Sequence, residues 1–351
     1  MPLTEQEIKE FRKALDESAR PLFFFDDDPD GACSFMLLYK YKGDGKGVMI
    51  KARPELQEVY YRKVEEYQPD LIIILDKPLV QQEFLDKCTC KVLWLDHHEP
   101  QQRRKVQYFN PRVHDNSDNR PTTYWAYKIA DKKEDLWLAV LGCIGDWHLP
   151  DFIDEFRTMY PGLIPDTITT ADDATYESEF GKLVRILSLN LKLSISDAMK
   201  AVRIMMKIVN PQELITQETA QARYLVRMQQ KVSSCYDAIR AHITVNEHNP
   251  ILFYTYTNEK FALTKDLSNE LIHTYPKKII IVGREKDGIL KLSLRSTTVH
   301  LPDLLKEALS VTRDGYGGGH TFACGAQFSA EDKEAFLLKI KEYLKQHKHN
   351  H

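Results

Sequence analysis

Three short apolar runs punctuate the first hundred residues: Leu22-Phe23-Phe24-Phe25, Leu71-Ile72-Ile73-Ile74 and Val92-Leu93-Trp94-Leu95. Strand-sized runs that are apolar at successive positions predict strands buried on both faces of a parallel sheet. Between them the spacing turns helical. Thr4 to Ala19 puts Ile8, Phe11, Leu15 and Ser18 on one face, with Thr4 placed as the N-cap. Gly31–Tyr41, Glu55–Tyr67 and the stretch around Val80–Asp86 read as further helices, with strands near Val48–Ala52 and at Val106–Phe109. Helices over Thr122–Ala130 and Leu136–Ile144 complete a doubly wound α/β domain spanning residues 1–150.

From about Asp151 to Asn246 the strand signals vanish. Apolar residues recur at helical intervals in Lys182–Leu191, Ala198–Ile208 and Ala220–Ile239, which predicts a helical extension and connector over 151–246. After Asn249-Pro250 the pattern changes again. Strands Ile251–Tyr256, Ile279–Val282 and Ile289–Leu294 flank a helix at Leu267–Tyr275, and a helix over Ala330–His347 closes the chain. A second, smaller α/β domain over 247–351 is expected.

A chain of 351 residues suits that division. Its 48 basic and 51 acidic residues nearly balance, so no global basic field is present and any nucleic-acid contact must be a local groove. No stretch is apolar over a membrane-spanning length, and Met1–Arg20 is polar and charged, unlike a signal peptide. The expectation is a protein without membrane contact, in the cytoplasm or, in a eukaryote, the nucleus. The six cysteines form no CxxC pair and are expected as reduced, mostly buried thiols; Cys88 and Cys90 alone make a poor metal site. The histidine-rich end, His347 to His351, is expected to be solvated.

Acidic and imidazole side chains gather where the apolar runs stop. Asp26-Asp27-Asp28-Pro29-Asp30-Gly31 follows the first run, Asp76 the second and Asp96-His97-His98 the third, with Gly145-Asp146 after a helix. Ligands bind at the carboxyl ends of the strands in open parallel sheets, so these groups should converge on one crevice. A lone Asp at a strand end is usually a turn or a cap, but four such patches change the odds. Carboxylates so close repel one another unless cations neutralise them, and a metal cluster points to phosphate chemistry. The imidazoles suit a transition ion better than calcium or magnesium alone.

Leu95-Asp96-His97-His98 resembles the signature that names the DHH phosphoesterases, and the other patches fall in that family's order. Asp26 to Ala32 resembles its first motif in the D-x-D-x-D-G form of RecJ-like nucleases; Asp76 resembles the second motif and Asp146 the fourth. Gly317-Gly318-Gly319-His320-Thr321-Phe322-Ala323-Cys324-Gly325 is similar to the GGGH signature of the family's associated C-terminal domain, and Leu294-Arg295-Ser296 to the arginine segment before it. The resemblance implies two divalent cations, typically Mn2+ with Mg2+ as the alternative. By position Asp28, Asp30, Asp76, Asp96, His97 and Asp146 would hold them, with Asp76 bridging and Asp26 as a further candidate. Two departures stand out. Phe24 occupies the position of a histidine in the pyrophosphatase branch, which argues against that activity. Lys77-Pro78 follows Asp76 where small or polar residues are usual, which leaves the geometry there open.

What the resemblance implies for mechanism is a hydroxide shared by two cations about 3.5–4 Å apart, attacking a phosphodiester in line. Asp96 and His98 would be catalytic, His98 orienting a ligand or protonating the departing oxygen, or else serving as a structural imidazole behind the ligands. Arg295 offers a planar fork for phosphate, joined by Ser296, by backbone amides at Gly317, Gly318 and Gly319, and by His320. The expected function is a Mn2+-dependent exonuclease that hydrolyses single-stranded DNA or RNA, or short oligonucleotides, to mononucleotides, with the two domains closing over the substrate. The alternatives are a phosphodiesterase for cyclic dinucleotides or small nucleotides, and a non-catalytic replication or repair scaffold. All six expected ligands are present, which disfavours the scaffold. Expected partners are single-stranded nucleic acid or a short oligonucleotide, a replication or repair protein, and a second copy in a homodimer.

Overall fold

The computed structural model describes residues 3–51, 55–257 and 260–347. Ala52, the expected end of the second strand, and residues 348–351 of the histidine-rich end lie outside them. The chain divides into two compact units, Met1–Gln230 and Lys231–His351.

The first unit is built on five parallel strands: β1 (Pro21–Asp26), β2 (Lys46–Ile50), β4 (Leu71–Leu75), β6 (Lys91–Leu95) and β7 (Gln107–Phe109). Two-residue strands β3 (Glu55–Leu56) and β5 (Leu79–Val80) pair separately. The sheet order β2-β1-β4-β6-β7 reverses direction at β1, so the crevice for a ligand opens between β1 and β4. The apolar runs are continuous because both faces are covered. Phe23, Phe25, Ile73, Leu75, Leu93 and Leu95 enter one core with helices α1 (Glu5–Glu17), α2 (Pro29–Lys42), α5 (Thr122–Ala130) and α6 (Leu136–Gly145). Leu22, Phe24, Ile72, Ile74, Val92 and Trp94 enter the other, against α3 (Tyr61–Tyr67) and α4 (Gln82–Lys87). Each such side chain contributes about 1.5–3 kcal/mol by leaving water. Thr4 caps α1 in a reciprocal box with Glu7.

Residues 151–246 carry no strand. Helices α7 (Ile153–Met159), α8 (Ala171–Tyr176), α9 (Glu179–Leu191), α10 (Ile195–Met205) and α11 (Gln212–Thr216) lead into α12 (Ala220–Ala241), which runs across the division between the units. One expected helix does not form whole. Over Glu55–Tyr67 only the last part is α-helical, because Leu56 is drawn into the β3–β5 pair and accepts a hydrogen bond from the Gln81 amide.

The second unit is a five-stranded mixed sheet in the order β11-β12-β10-β9-β8. Its strands are β8 (Ile251–Thr257), β9 (Ile279–Lys286), β10 (Ile289–Arg295), β11 (Tyr316–His320) and β12 (Ala323–Ser329), with helices α13 (Thr264–Thr274), α14 (Leu301–Leu309) and α15 (Lys333–His347). Leu290, Leu292 and Leu294 alternate into a core with Leu304, Leu305, Phe328, Phe336 and Ile340. The glycine run, whose amides are expected to meet an anion, forms an edge strand. Gly317, Gly318 and Gly319 pair with Ala326, Gly325 and Cys324, and with no side chains they leave no alternation to read. Among the described residues no helix is long and apolar enough to cross a membrane, and all six cysteines are free thiols.

Candidate metal centre

Each strand tip is fastened to its neighbour, which fixes where the acidic side chains point. The Asp76 amide donates to the Leu95 carbonyl at 3.0 Å and the Asp96 amide to the Phe109 carbonyl at 3.1 Å. Asp28 is the N-cap of α2, its carboxylate accepting from the Gly31 amide at 3.1 Å. Gly31 is required there, since a Cβ would lie 2.7 Å from the Asp26 backbone nitrogen. Asp76 takes a left-handed φ of 56°, strained backbone of a kind that collects at functional sites.

Asp30 is fully buried and accepts from the amides of Thr122 at 2.9 Å and Thr123 at 2.6 Å. Those are first-turn donors of α5, whose N-cap residue is Pro121 and offers no side-chain cap, so a carboxylate from α2 caps α5. The Thr122 hydroxyl donates to Asp76 at 3.2 Å and the Thr123 hydroxyl to the Asp30 carbonyl at 2.8 Å. Asp146 closes the crevice from the C-terminal end of α6, where the helix dipole disfavours a negative charge unless a cation lies near.

His97 is the meeting point. Its Nε2 lies 3.7 Å from Asp30, 3.5 Å from Asp76 and 3.5 Å from Asp146. His98 Nδ1 lies 3.8 Å from Asp76 and is bonded to Asp96 Oδ1 at 2.8 Å. Donor atoms of three sets, Asp30-His97-Asp146, Asp76-His97-His98 and Asp26-Asp28-Asp76, lie within 4.8 Å of one another in each set.

Asp96 is brought to the centre but does not join those sets. Its Oδ2 accepts from the His98 amide at 3.2 Å, the Tyr108 hydroxyl at 3.0 Å and Asn110 Nδ2 at 3.4 Å, while its Oδ1 takes His98. With both oxygens engaged and no exposure, it fixes the imidazole of His98. Asp26, the further candidate, is paired with the buried ammonium of Lys77 at 2.8 Å. Thr122, Thr123, Tyr108 and Asn110 escaped the sequence reading. The one signal for the threonines was Pro121 ahead of a predicted helix, which marks an N-terminus able to hold an anion.

Without a cation the carboxylates resist ionisation. Burial, then the charge of Asp28, pushes Asp26 up to about 7 against the pull of Lys77. Burial raises Asp30, opposed by His97, and holds Asp76 well above the usual carboxylate range with the charges of Asp30 and Asp28 adding to it. Burial lowers His98, but the hydrogen bond and charge of Asp96 outweigh it and the net shift is upward. The donors fit divalent ions: carboxylates and imidazole nitrogens 3.5–3.7 Å apart approach the roughly 3.0–3.4 Å expected between two donors each about 2.1 Å from one ion.

In the second unit, Arg295 Nε donates to Asn269 Oδ1 at 2.7 Å and Nη1 to the Leu294 carbonyl at 2.7 Å. Ser296 is buried, its hydroxyl accepting from the amides of Thr298 and Val299. His320 is exposed on the edge strand.

Residues 22–153 match the N-terminal domain of the DHH family, and residues 250–346 match the DHHA1 domain. The chain belongs to the DHH family. No curated protein matches it in sequence. Its DHH fold is shared with solved structures at low identity. RecJ from Thermus thermophilus, solved with Mn2+, has a TM-score of 0.69 at 14% identity; the alignment covers 99% of this chain and 55% of that one. This chain thus spans about half the length of that relative. An exonuclease RecJ bound to manganese gives 0.64 at 15% identity, covering 98% and 95%. CDC45 from Entamoeba histolytica gives 0.50 at 11% identity, covering 96% and 98%.

Proposed function

We propose that this DHH protein is a metal-dependent phosphodiesterase that releases mononucleotides from the ends of single-stranded DNA, RNA or short oligonucleotides. The observation that carries the reading is the convergence of Asp30, Asp76 and Asp146 on His97 Nε2 at the point where the sheet order reverses. Asp28, Asp30, Asp76, His97 and Asp146 are the proposed ligands of two divalent ions, Mn2+ foremost, since both RecJ structures contain it. Bound there, such ions lower the pKa of a water and clamp attacking and leaving oxygens.

The chain's own groups do the rest. Thr122 and Thr123 hold Asp76 and Asp30 at fixed angles, so no reorganisation is needed when charge develops. Asp96 accepts from His98 Nδ1, which raises the basicity of the imidazole and leaves Nε2 as the atom that hands a proton to the departing oxygen. In the second unit we assign substrate-phosphate contacts to Arg295, His320 and the amides of residues 317–319. Ser296 is left with a turn-forming role, since it is buried and its oxygen accepts from the amides of Thr298 and Val299.

The test is a product ladder from end-labelled DNA and RNA, from dinucleotides to long single strands, with Mn2+. Wild type should release mononucleotides stepwise along long strands, and Asp76→Asn should release none. Cleavage limited to the shortest substrates favours a small-nucleotide phosphodiesterase. Intact substrate beside bound Mn2+ overturns the catalytic reading in favour of a scaffold.

A further inference from the structure

Lys77 stands directly after Asp76, and its side chain is among the largest that are wholly buried. A buried ammonium must be paired. Its Nζ lies 2.8 Å from Asp26 Oδ1, and Asp26 shares a pocket with Asp28 and Asp76 whose donor atoms fall within 4.8 Å of one another. By composition that pocket is a third cation site beside the two that contain His97. The backbone is locked to serve the pairing: Asp76 adopts the left-handed φ of 56°, and the Trp94 indole donates to the Lys77 carbonyl at 3.0 Å. The turn thus sends a carboxylate and an ammonium from adjacent residues into the same cluster.

We propose that Lys77 is a built-in monovalent cation that takes the place of a divalent ion in the Asp26-Asp28-Asp76 pocket. It holds Asp26 out of metal coordination, so that Asp28 and Asp76 serve only the two divalent ions proposed above and no further ion enters beside Asp26. An ammonium is a compact point charge with three donors, so it can neutralise Asp26 without demanding the ligand number of a divalent ion. Lys77 is accordingly a positioning residue for the metal centre, and this inference rests on the metal reading above.

The experiment counts Mn2+ bound per chain by equilibrium dialysis at pH 8, for the full chain and without substrate. Lys77→Met, which keeps the length of the stem and removes the charge, is expected to bind one more ion per chain than wild type. The double variant Lys77→Met/Asp26→Asn is expected to return to the wild-type number. Asp26→Asn alone should also keep that number at saturating Mn2+, and it supplies the test if Lys77→Met fails to fold. An unchanged count in Lys77→Met, or the loss of an ion in Asp26→Asn, overturns the inference while leaving the metal centre standing. A wild-type chain that takes up no Mn2+ overturns the metal reading and this inference with it.

Discussion

At the tips of β1, β4 and β6 the carboxylates are buried and fastened. Asp30 is held by two amides, Asp76 by a hydroxyl, Asp96 by Tyr108, Asn110 and His98. At the edge of the second sheet the opposite holds. Gly317, Gly318, Gly319 and His320 are all exposed, and a single strand neighbour secures them. The first region stores its chemistry in side chains whose repulsion is relieved by protons or by a cation, and the hydrogen bonds that hold them set its geometry before any ligand arrives. The second offers backbone at a surface, held by pairing with β12 and by packing on α14 rather than by side chains of its own.

The sharpest way to break that contrast is to loosen one fastening without moving the fold. Thr122→Val preserves the shape of the side chain and removes the hydroxyl that donates to Asp76. Partners of ligands typically cost about 10–100-fold in metal affinity or activity when removed. We expect the Mn2+ dissociation constant, measured by titration calorimetry, to rise in that range, with little change in the thermal midpoint. An unaltered constant would mean that Asp76 is not held in place by α5.

The cost of crowding carboxylates gives a second expectation, through pH. Asp26 is raised to about 7 in the folded chain, against an ordinary value near 4, so the folded state holds a proton that the unfolded state has lost across that window. Its contribution to stability is therefore full below about pH 4, declines as pH rises towards 7 and is gone above. Asp30, Asp76 and His98 are raised as well and act in the same direction, while His148, held low by burial and then by Arg120, opposes them. In EDTA the thermal midpoint should fall between pH 5 and pH 8. With Mn2+ present the protons are displaced, and the stabilisation by metal should grow over the same range. A midpoint that climbs in EDTA contradicts this account of the centre.

The contrast also explains what could be read from the sequence. The sheet was legible because strands buried on both faces must be continuously apolar, and Phe23 to Phe25 and Ile72 to Ile74 obey that rule. The converging carboxylates were legible because they sit directly after such runs. Spacing could not show that Asp96 turns to His98 while His97 turns to Asp30, Asp76 and Asp146, since that depends on Tyr108 and Asn110, which arrive from the next strand. The threonines that hold the centre were invisible for a similar reason: only the close approach of α5 to α2 gives them a role. Strand β11 escaped because three glycines carry no alternation, and the start of Glu55–Tyr67 because Leu56 takes its partner from beyond the segment, at β5.

The smallest expected effect separates two glycines that look alike in sequence. A Cβ on Gly319 would lie 2.3 Å from the Ala323 carbonyl oxygen, and its φ of 152° lies where side chains are strained. Gly319→Ala should therefore destabilise the second unit by roughly 1–3 kcal/mol. A Cβ on Gly318 meets nothing within 4 Å. The fold has no need of glycine there, and Gly318→Ala should change stability by less than about 0.5 kcal/mol. Its effect on the proposed nuclease activity is then a clean reading of ligand approach. A several-fold rise in KM with unchanged stability would mean that substrate comes close enough to the β11 backbone to touch the added methyl. Full activity in Gly318→Ala would confine the requirement for glycine in this motif to Gly317 and Gly319, where strand packing alone accounts for it.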